Sequence, residues 1–405
     1  MFGILQQSLV MIALTVGADA PQYEESFVFP LDEKHSHAAG IVECPNGDLL
    51  VSWYWGSGER KSDDVAIFGS RKKKGESNWE DFFMMADHPG FPDCNTCMMI
   101  DNNQRLWLFW PIIIDNNWES ALTTFLISRN YMNPKCPKWD HYGVIYLRPE
   151  NFEKKYLKDL DQVLAKHDKP LSARQQKYID SARTRASDKL YQRLGWMTRC
   201  KPLILPTGRI LLPLYSDTFS NCLMAISDDN GRTWRAGGTI NGHGNIQASI
   251  VRKNNGTIVA YMRENGFTGQ IRVSESKDDG ETWGPVTSSK LPNPGAGVDA
   301  VRLENGHWLI VYNDQKQGRS HLAVSISEDE GKTWKWTRHL EKYKTGSYHY
   351  PAVIQGTDGR IHAIYTYSSR KGNKKKRKRA ETMKLASFNE AWVLQGDQPG
   401  DFKQE

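Results

Sequence analysis

The apolar residues of this chain fall in short β-rich runs, paired across tight-turn dipeptides, with little helical spacing outside one segment. "GIVEC" and "DLLVSWYW" flank Asn46-Gly47, "CMMID" and "RLWLFW" flank Asn102-Asn103, and "PLILP" and "RILLPLY" flank Thr207-Gly208. The pattern returns around Asn255-Gly256, Asn305-Gly306 and Asp358-Gly359. Asn-Gly and Asp-Gly favour two-residue hairpins because both central positions tolerate positive φ. Successive turns are mostly about 50 residues apart, the repeat of a four-stranded propeller blade. The long step from Asn103 to Thr207 implies an insertion of about 50 residues. Within it, "NFEKKYLKDLDQVLAK" and "SARQQKYIDSARTRASDKLYQRL" space their apolar residues as helices do, which predicts two amphipathic helices over 151–194. The expected fold is all-β: a six-bladed β-propeller over 24–395, with a helical insertion between blades 2 and 3. "SFVFP" (26–30) is expected to pair with the last segment and close the ring, removing an open sheet edge.

A second repeat is superposed on the first. "SDDNGRTW" (227–234), "SKDDGETW" (276–283) and "SEDEGKTW" (327–334) share Ser-x-Asp-x-Gly-x-Thr-Trp, and looser versions run from Ser70 to Trp79 and from Ser128 to Trp139. An Asp that accepts backbone N–H bonds, a Gly in the left-handed region and a large apolar Trp make a turn and a wedge between blades. In an up-and-down meander these motifs lie on the same face as the Asn-Gly turns. Candidate chemistry is therefore sought on the opposite face, at the starts of the first strands, the ends of the second strands and the loops between second and third strands. Those positions supply His37, Asp93, Arg199, Lys201, Asn245, Asp299 and Tyr350 from strand starts, and Glu59, Arg60, Asp63, Asp64, Asp217, Arg263, Glu264, Asp314 and Arg319 from strand ends and loops. Arginines from separate blades suit bidentate binding of a carboxylate.

Composition changes this picture little. The net charge of +6 is mild for 405 residues, so it gives no indication of a nucleic-acid partner. No run of 18 apolar residues exists that would predict a transmembrane segment. The first 20 residues, with an apolar run from Leu9 to Val16 and small residues at Ala18 and Ala20, read as a secretory signal peptide. That predicts a secreted or secretory-lumen protein; without cleavage the chain would be cytoplasmic. Six cysteines, Cys94 and Cys97 forming a lone CxxC, predict buried thiols or one or two disulfides ahead of a metal or redox pair. The basic run "RKGNKKKRKR" (370–379) falls in the last 2–3 loop, as a solvated loop able to attract polyanions.

The three octapeptides, the six blades and the order of polar residues resemble sialidases (neuraminidases) and their relatives of the BNR/Asp-box class, over roughly 35–370 less the insert. The resemblance implies a sugar carboxylate held by three arginines, and "YMREN" and "GRSHLAVSIS" offer Arg263 and Arg319. It implies a tyrosine nucleophile opening the last blade, for which "SYHYPAVIQGTDG" offers Tyr350, with Tyr348 second. It implies an acid/base aspartate in the first 2–3 loop, Asp63 or Asp64 in "GERKSDDVAI". Two departures stand out: His37 occupies the place of the first arginine, and Asn245 aligns with the glutamate that takes the proton from the tyrosine. Glu264 is the nearby replacement by sequence for that glutamate. A phenol with a pKa near 10 needs such a base to attack.

Three functions are carried forward. The first is a retaining exo-α-sialidase-like glycoside hydrolase acting on a terminal acidic sugar of an acidic glycan or glycoconjugate. Here Arg263, Arg319 and His37 bind the carboxylate and Tyr350 forms the glycosyl-enzyme; a neutral phenol approaches an anionic substrate without charge repulsion. Asn245, Arg199, Lys201 and Asp299 complete the expected substrate contacts, and no metal or organic cofactor is needed. The second is a lyase or hydrolase of uronic-acid glycosides using His37 and Tyr350 as base and acid. The third is a non-catalytic glycan-binding propeller, suggested by Asn245.

Overall fold

The computed structural model describes residues 20–165, 170–371 and 378–402. The expected signal peptide and the centre of the basic loop lie outside the described residues. The chain forms six antiparallel sheets arranged as propeller blades. Blade 1 runs from His35–Glu43 through Leu49–Gly56 and Ala66–Lys72 to Phe83–Ala86, and blade 2 from Cys97–Ile100 to His141–Val144. Blade 3 spans Met197–Thr198 to Arg235–Ile240, blade 4 Asn245–Arg252 to Thr287–Pro292, and blade 5 Asp299–Arg302 to Trp336–Lys342. Blade 6 contains Ser347–Gln355, Ile361–Lys371 and Lys378–Phe388; its outer strand is Tyr23–Phe27, from the other end of the chain. That strand runs antiparallel to Lys378–Phe388 with Tyr23 opposite Phe388, so the ring closes three residues earlier than "SFVFP" predicts. Val28 and Phe29 follow it into the core.

Turn chemistry sets the strand order. Gly47, Gly208, Gly256, Gly306 and Gly359 all have positive φ in the hairpins read from sequence, and Gln104 takes this conformation in blade 2. In the first octapeptide, Asp229 accepts from the Thr233 backbone N–H at 2.9 Å and from the Ser227 hydroxyl, which itself accepts from the Gly231 N–H. The same bonds recur at Asp278 and Asp329. Gly231 is at φ 82°, and a Cβ there would come within 2.2 Å of Trp107 in blade 2. Trp234 meets Trp107 and Phe109 edge-on, and Trp334 meets Tyr261, which is the inter-blade wedging the sequence suggests.

Between blades 2 and 3 lie three helices, α1 (Phe152–Leu164), α2 (Ala173–Ser187) and the short α3 (Lys189–Arg193). Ser172 and Gln175 form a capping box on α2. Helix α1 buries Phe152 and Tyr156 against Phe219, at ring separations of 4.7 and 5.0 Å. The Tyr178 hydroxyl of α2 lies 2.9 Å from that of Ser220, and Arg185 pairs with Glu119 at 2.9 Å. The insert is thus docked on loops of blades 2 and 3. All six cysteines are free thiols; five are buried, and burial raises Cys94 and Cys97 above the ordinary thiol range.

Candidate active site

Four first strands place a non-glycine residue in the left-handed region at the same end of the propeller: Ala38, Asn95, Gln247 and Tyr350, with φ between 46° and 56°. Register shifts accompany three of them, between His37 and Gly40, Ile246 and Ser249, and His349 and Ala352. Such backbone costs about 1–3 kcal/mol at each residue and concentrates where side chains are held for function. Here it lets Gln247 and Tyr350 meet on the axis. The Tyr350 hydroxyl oxygen accepts from Arg263 Nη1 at 2.7 Å and from Gln247 Nε2 at 3.0 Å. The guanidinium carbons of Arg199, Arg319 and Arg263 lie 4.9, 5.8 and 6.0 Å from the Tyr350 ring centre.

His37 packs on this tyrosine with ring centres 4.0 Å apart, and its Nδ1 lies 3.0 Å from the Thr366 hydroxyl. Burial first, then the neighbouring His349 and His35, pushes its pKa well down, so its imidazole is neutral. His35 is the opposite case. It sits between Glu381, at 2.5 Å, and Glu59, at 3.4 Å. Burial opposes its charge, but the hydrogen bonds to Glu381 and Glu59 win and raise its pKa to about 9. Burial likewise opposes ionisation of Glu59, yet bonds from His35 and from the Tyr54 hydroxyl at 2.8 Å hold its carboxyl below the usual range.

These groups border a cavity of about 1040 Å³ on the face away from the octapeptides. Five arginines line it, Arg60, Arg174, Arg263, Arg272 and Arg319, against three carboxylates, Glu59, Asp217 and Glu264. Arg60 stacks 5.0 Å over Trp118, and Arg319 donates to the Gly295 carbonyl at 2.7 Å. Burial raises the Asp217 carboxyl above the ordinary aspartate value against the pull of Arg263 and Arg60. No hydrogen bond to that carboxylate occurs among the described residues.

Of the residues read from sequence, His37, Arg263, Arg319 and Tyr350 come together here, Glu59, Arg60, Asp217 and Glu264 also line the cavity, and the others are placed differently. Asp63 is exposed and accepts from Asn116 at 2.8 Å, while Asp64 accepts from Ser57 within its own loop; neither lines the cavity. The carboxylates that do are Glu59 from that loop, Asp217 from blade 3 and Glu264 from blade 4. Asn245 is buried and donates to the Ile240 carbonyl at 2.7 Å, because the bulge after Ile246 hands the axial place to Gln247. Glu264 is spent on its own turn, accepting from the Gly266 N–H and from the Thr268 N–H and hydroxyl. Arg199 donates to the Pro351 carbonyl at 2.7 Å and supports the site from within the channel. Lys201 and Asp299 pair with each other at 2.7 Å and do not line the cavity. Tyr348 packs in the blade 5–6 core beside Tyr367.

Comparison with known proteins agrees with this architecture. Residues 181–363 match the family described as BNR repeat-like domain. A stretch of 177 residues is 28% identical to a sialidase of Micromonospora viridifaciens, over 41% of this chain and 25% of that protein. Over that region the chain is sialidase-like and carries BNR-type repeats. It spans about a quarter of the length of the curated relatives it matches. Among solved structures, this sialidase-like chain superposes on a Dyadobacter fermentans protein of unknown function with a TM-score of 0.64 and 16% identity, covering 89% of this chain and 97% of that one. A Streptococcus pneumoniae sialidase gives 0.64 at 12% identity, covering 89% and 69%. These likenesses concern the fold. Among the described residues no His, Cys, Asp or Glu cluster forms a metal site, and no helix is long and apolar enough to cross a membrane.

Proposed function

We propose that this sialidase-like propeller is a glycosidase that removes a terminal acidic sugar, sialic acid by its resemblance, using Tyr350 as the nucleophile. The observation that carries the reading is the meeting of Arg263 and Arg319 around Tyr350 in one arginine-rich cavity. Arg319 and Arg60 hold the sugar carboxylate, a task suited to planar guanidinium forks. Both hydrogen bonds to the Tyr350 oxygen are made to it as acceptor, so Arg263 and Gln247 hold it in place when its proton leaves. The neutral His37 accepts that proton. The phenolate oxygen bonds to the anomeric carbon as the glycosidic C–O bond breaks, and Asp217 delivers its proton to the departing oxygen. Water then attacks the anomeric carbon, giving one proton to Asp217, and Tyr350 leaves with the proton held on His37. Asp217 replaces Asp63 and Asp64 in this role because it borders the cavity and its burial favours the protonated form.

One observation favours a second reading. Among the described residues the Tyr350 hydroxyl has an amide and a guanidinium as partners and no carboxylate, with His37 stacked beside it. A histidine–tyrosine pair of this kind suits elimination from a uronic-acid glycoside. Incubation with sialylated and uronate-terminated oligosaccharides, followed by mass and ultraviolet absorbance, separates the two. Free sialic acid whose release stops in Tyr350→Phe supports the proposal. An unsaturated uronate selects elimination, and binding without turnover refutes both.

A further inference from the structure

The cavity has two unlike sides, and the arginine cluster accounts for only one. The other is built by the helical insert, with Leu160, Val163 and Leu164 from α1, Ile179 from α2, and Phe267 from the loop after the second strand of blade 4; α2 also brings the polar Arg174, Gln175 and Tyr178 to its rim. These side chains grade outward: Leu160 and Ile179 are 3% and 7% exposed, Val163 38% and Phe267 82%. The apolar surface thus begins beside the sugar-binding pocket and continues to the mouth. A largely exposed phenylalanine joined to a buried apolar surface is the form an apolar ligand site takes. At about 1040 Å³ the cavity is also at the top of the roughly 300–1,000 Å³ range that encloses a drug-sized ligand. A single sugar leaves much of it empty.

We propose that the insert forms a leaving-group subsite that selects acidic-sugar glycosides with an apolar aglycone over those linked to another sugar. The inference rests on the glycosidase reading for its orientation: the acidic sugar sits by Arg319 and Tyr350, so whatever is attached to it leaves toward the mouth, along the apolar wall. The wall is preformed. Tyr156 packs on Phe219 and His243, and Asp159 accepts from Asn241 at 2.8 Å, which fixes α1 to the link between blades 3 and 4. An apolar aglycone loses water against Val163, Leu164 and Phe267, a gain that the hydrated hydroxyls of a second sugar do not make.

Binding and turnover are measured separately on the full chain. Non-hydrolysable S-linked sialosides carrying octyl, phenyl or lactosyl groups are titrated by calorimetry, and the O-linked set is assayed for sugar release. The octyl and phenyl ligands are expected to bind about tenfold or more tightly than the lactosyl one, the scale that apolar pocket contacts supply. Val163→Ser with Phe267→Ser is expected to remove that preference while lactosyl binding changes by less than about threefold, as no large apolar burial is lost there. Octyl against phenyl distinguishes a flexible chain from a flat ring as the better fit. Equal affinities in the wild type, or a preference that survives in the double variant, overturn the inference. Selective binding without sugar release leaves the subsite standing and sinks the glycosidase reading.

Discussion

Asp299 is expected to hold the propeller together and to stay out of substrate binding. Its carboxylate accepts from Ser249 Oγ at 2.6 Å, Lys201 Nζ at 2.7 Å and the Val353 N–H at 2.8 Å. Those groups come from blades 4, 3 and 6, so one buried side chain of blade 5 joins four blades. In Asp299→Ala the buried Ser249 hydroxyl and Val353 amide lose their acceptor, at about 1–3 kcal/mol each. Breaking a buried ion pair costs about 3–5 kcal/mol, but the Lys201 side chain is 25% exposed and recovers part of this from water. These terms overlap, so the expected loss is about 3–5 kcal/mol. At about 2–4 °C per kcal/mol for mid-sized domains, and less for a longer chain, the melting temperature should fall by about 5–10 °C. Asp299→Asn keeps one acceptor and should fall about half as far. Thermal unfolding by circular dichroism, with sugar release measured well below the transition, tests this. An unchanged melting temperature together with lost activity would show that Asp299 touches substrate and that the structural assignment is wrong.

Asp217→Asn should lower turnover by about 10²–10⁴-fold and abolish the alkaline fall of the pH–rate profile, because the proton donor is gone. Its effect on stability runs the other way. The folded carboxyl titrates above its unfolded value, so the folded state binds more protons between the two, and stability declines as pH rises through that window. Above it the ionised, partly buried Asp217 is a standing penalty, so Asp217→Asn should melt no lower than wild type at neutral pH; a marked drop there would contradict the burial argument. Gly231→Ala forces φ 82° on an L-residue and pushes a methyl into Trp107, so it should cost about 2–4 kcal/mol in melting experiments. Turnover by the folded fraction should be unchanged, since that turn lies on the face away from the cavity.

The repeat was legible because its turns are local: Asn46-Gly47 and Asp229 each act within a few residues of the chain, and Trp234 follows at a fixed offset although it packs on Phe109 of another blade. The face carrying the cavity followed from the alternation of turns in a meander, and the resemblance to sialidases singled out Arg263, Arg319 and Tyr350 on it. Alternation failed where the first strands bulge. Asn245 and Gln247 are two residues apart and share a face in a regular strand, but the left-handed Gln247 breaks the period and alone reaches Tyr350. No local signal marks that bulge. Asp64 and Glu264 show a related effect: short loops let a carboxylate fold back on its own backbone, so Asp64 turns to Ser57 and Glu264, although it lines the cavity, is engaged by Gly266. Asp217 was on the list of facing residues, yet its surroundings combine burial with the charges of Arg60 and Arg263 from other blades, which spacing along the chain does not encode.

The central claim is recognition of a sugar carboxylate by the arginine cluster, and calorimetry with a matched pair tests it without relying on turnover. N-acetylneuraminic acid is titrated against the same sugar with its carboxyl reduced to an alcohol, in wild type and in Arg319→Ala. The acid should bind at least about tenfold more tightly, a difference of about 1.4 kcal/mol, and the advantage should shrink in Arg319→Ala. Equal affinity for the acid and the alcohol in the wild-type protein would contradict the account.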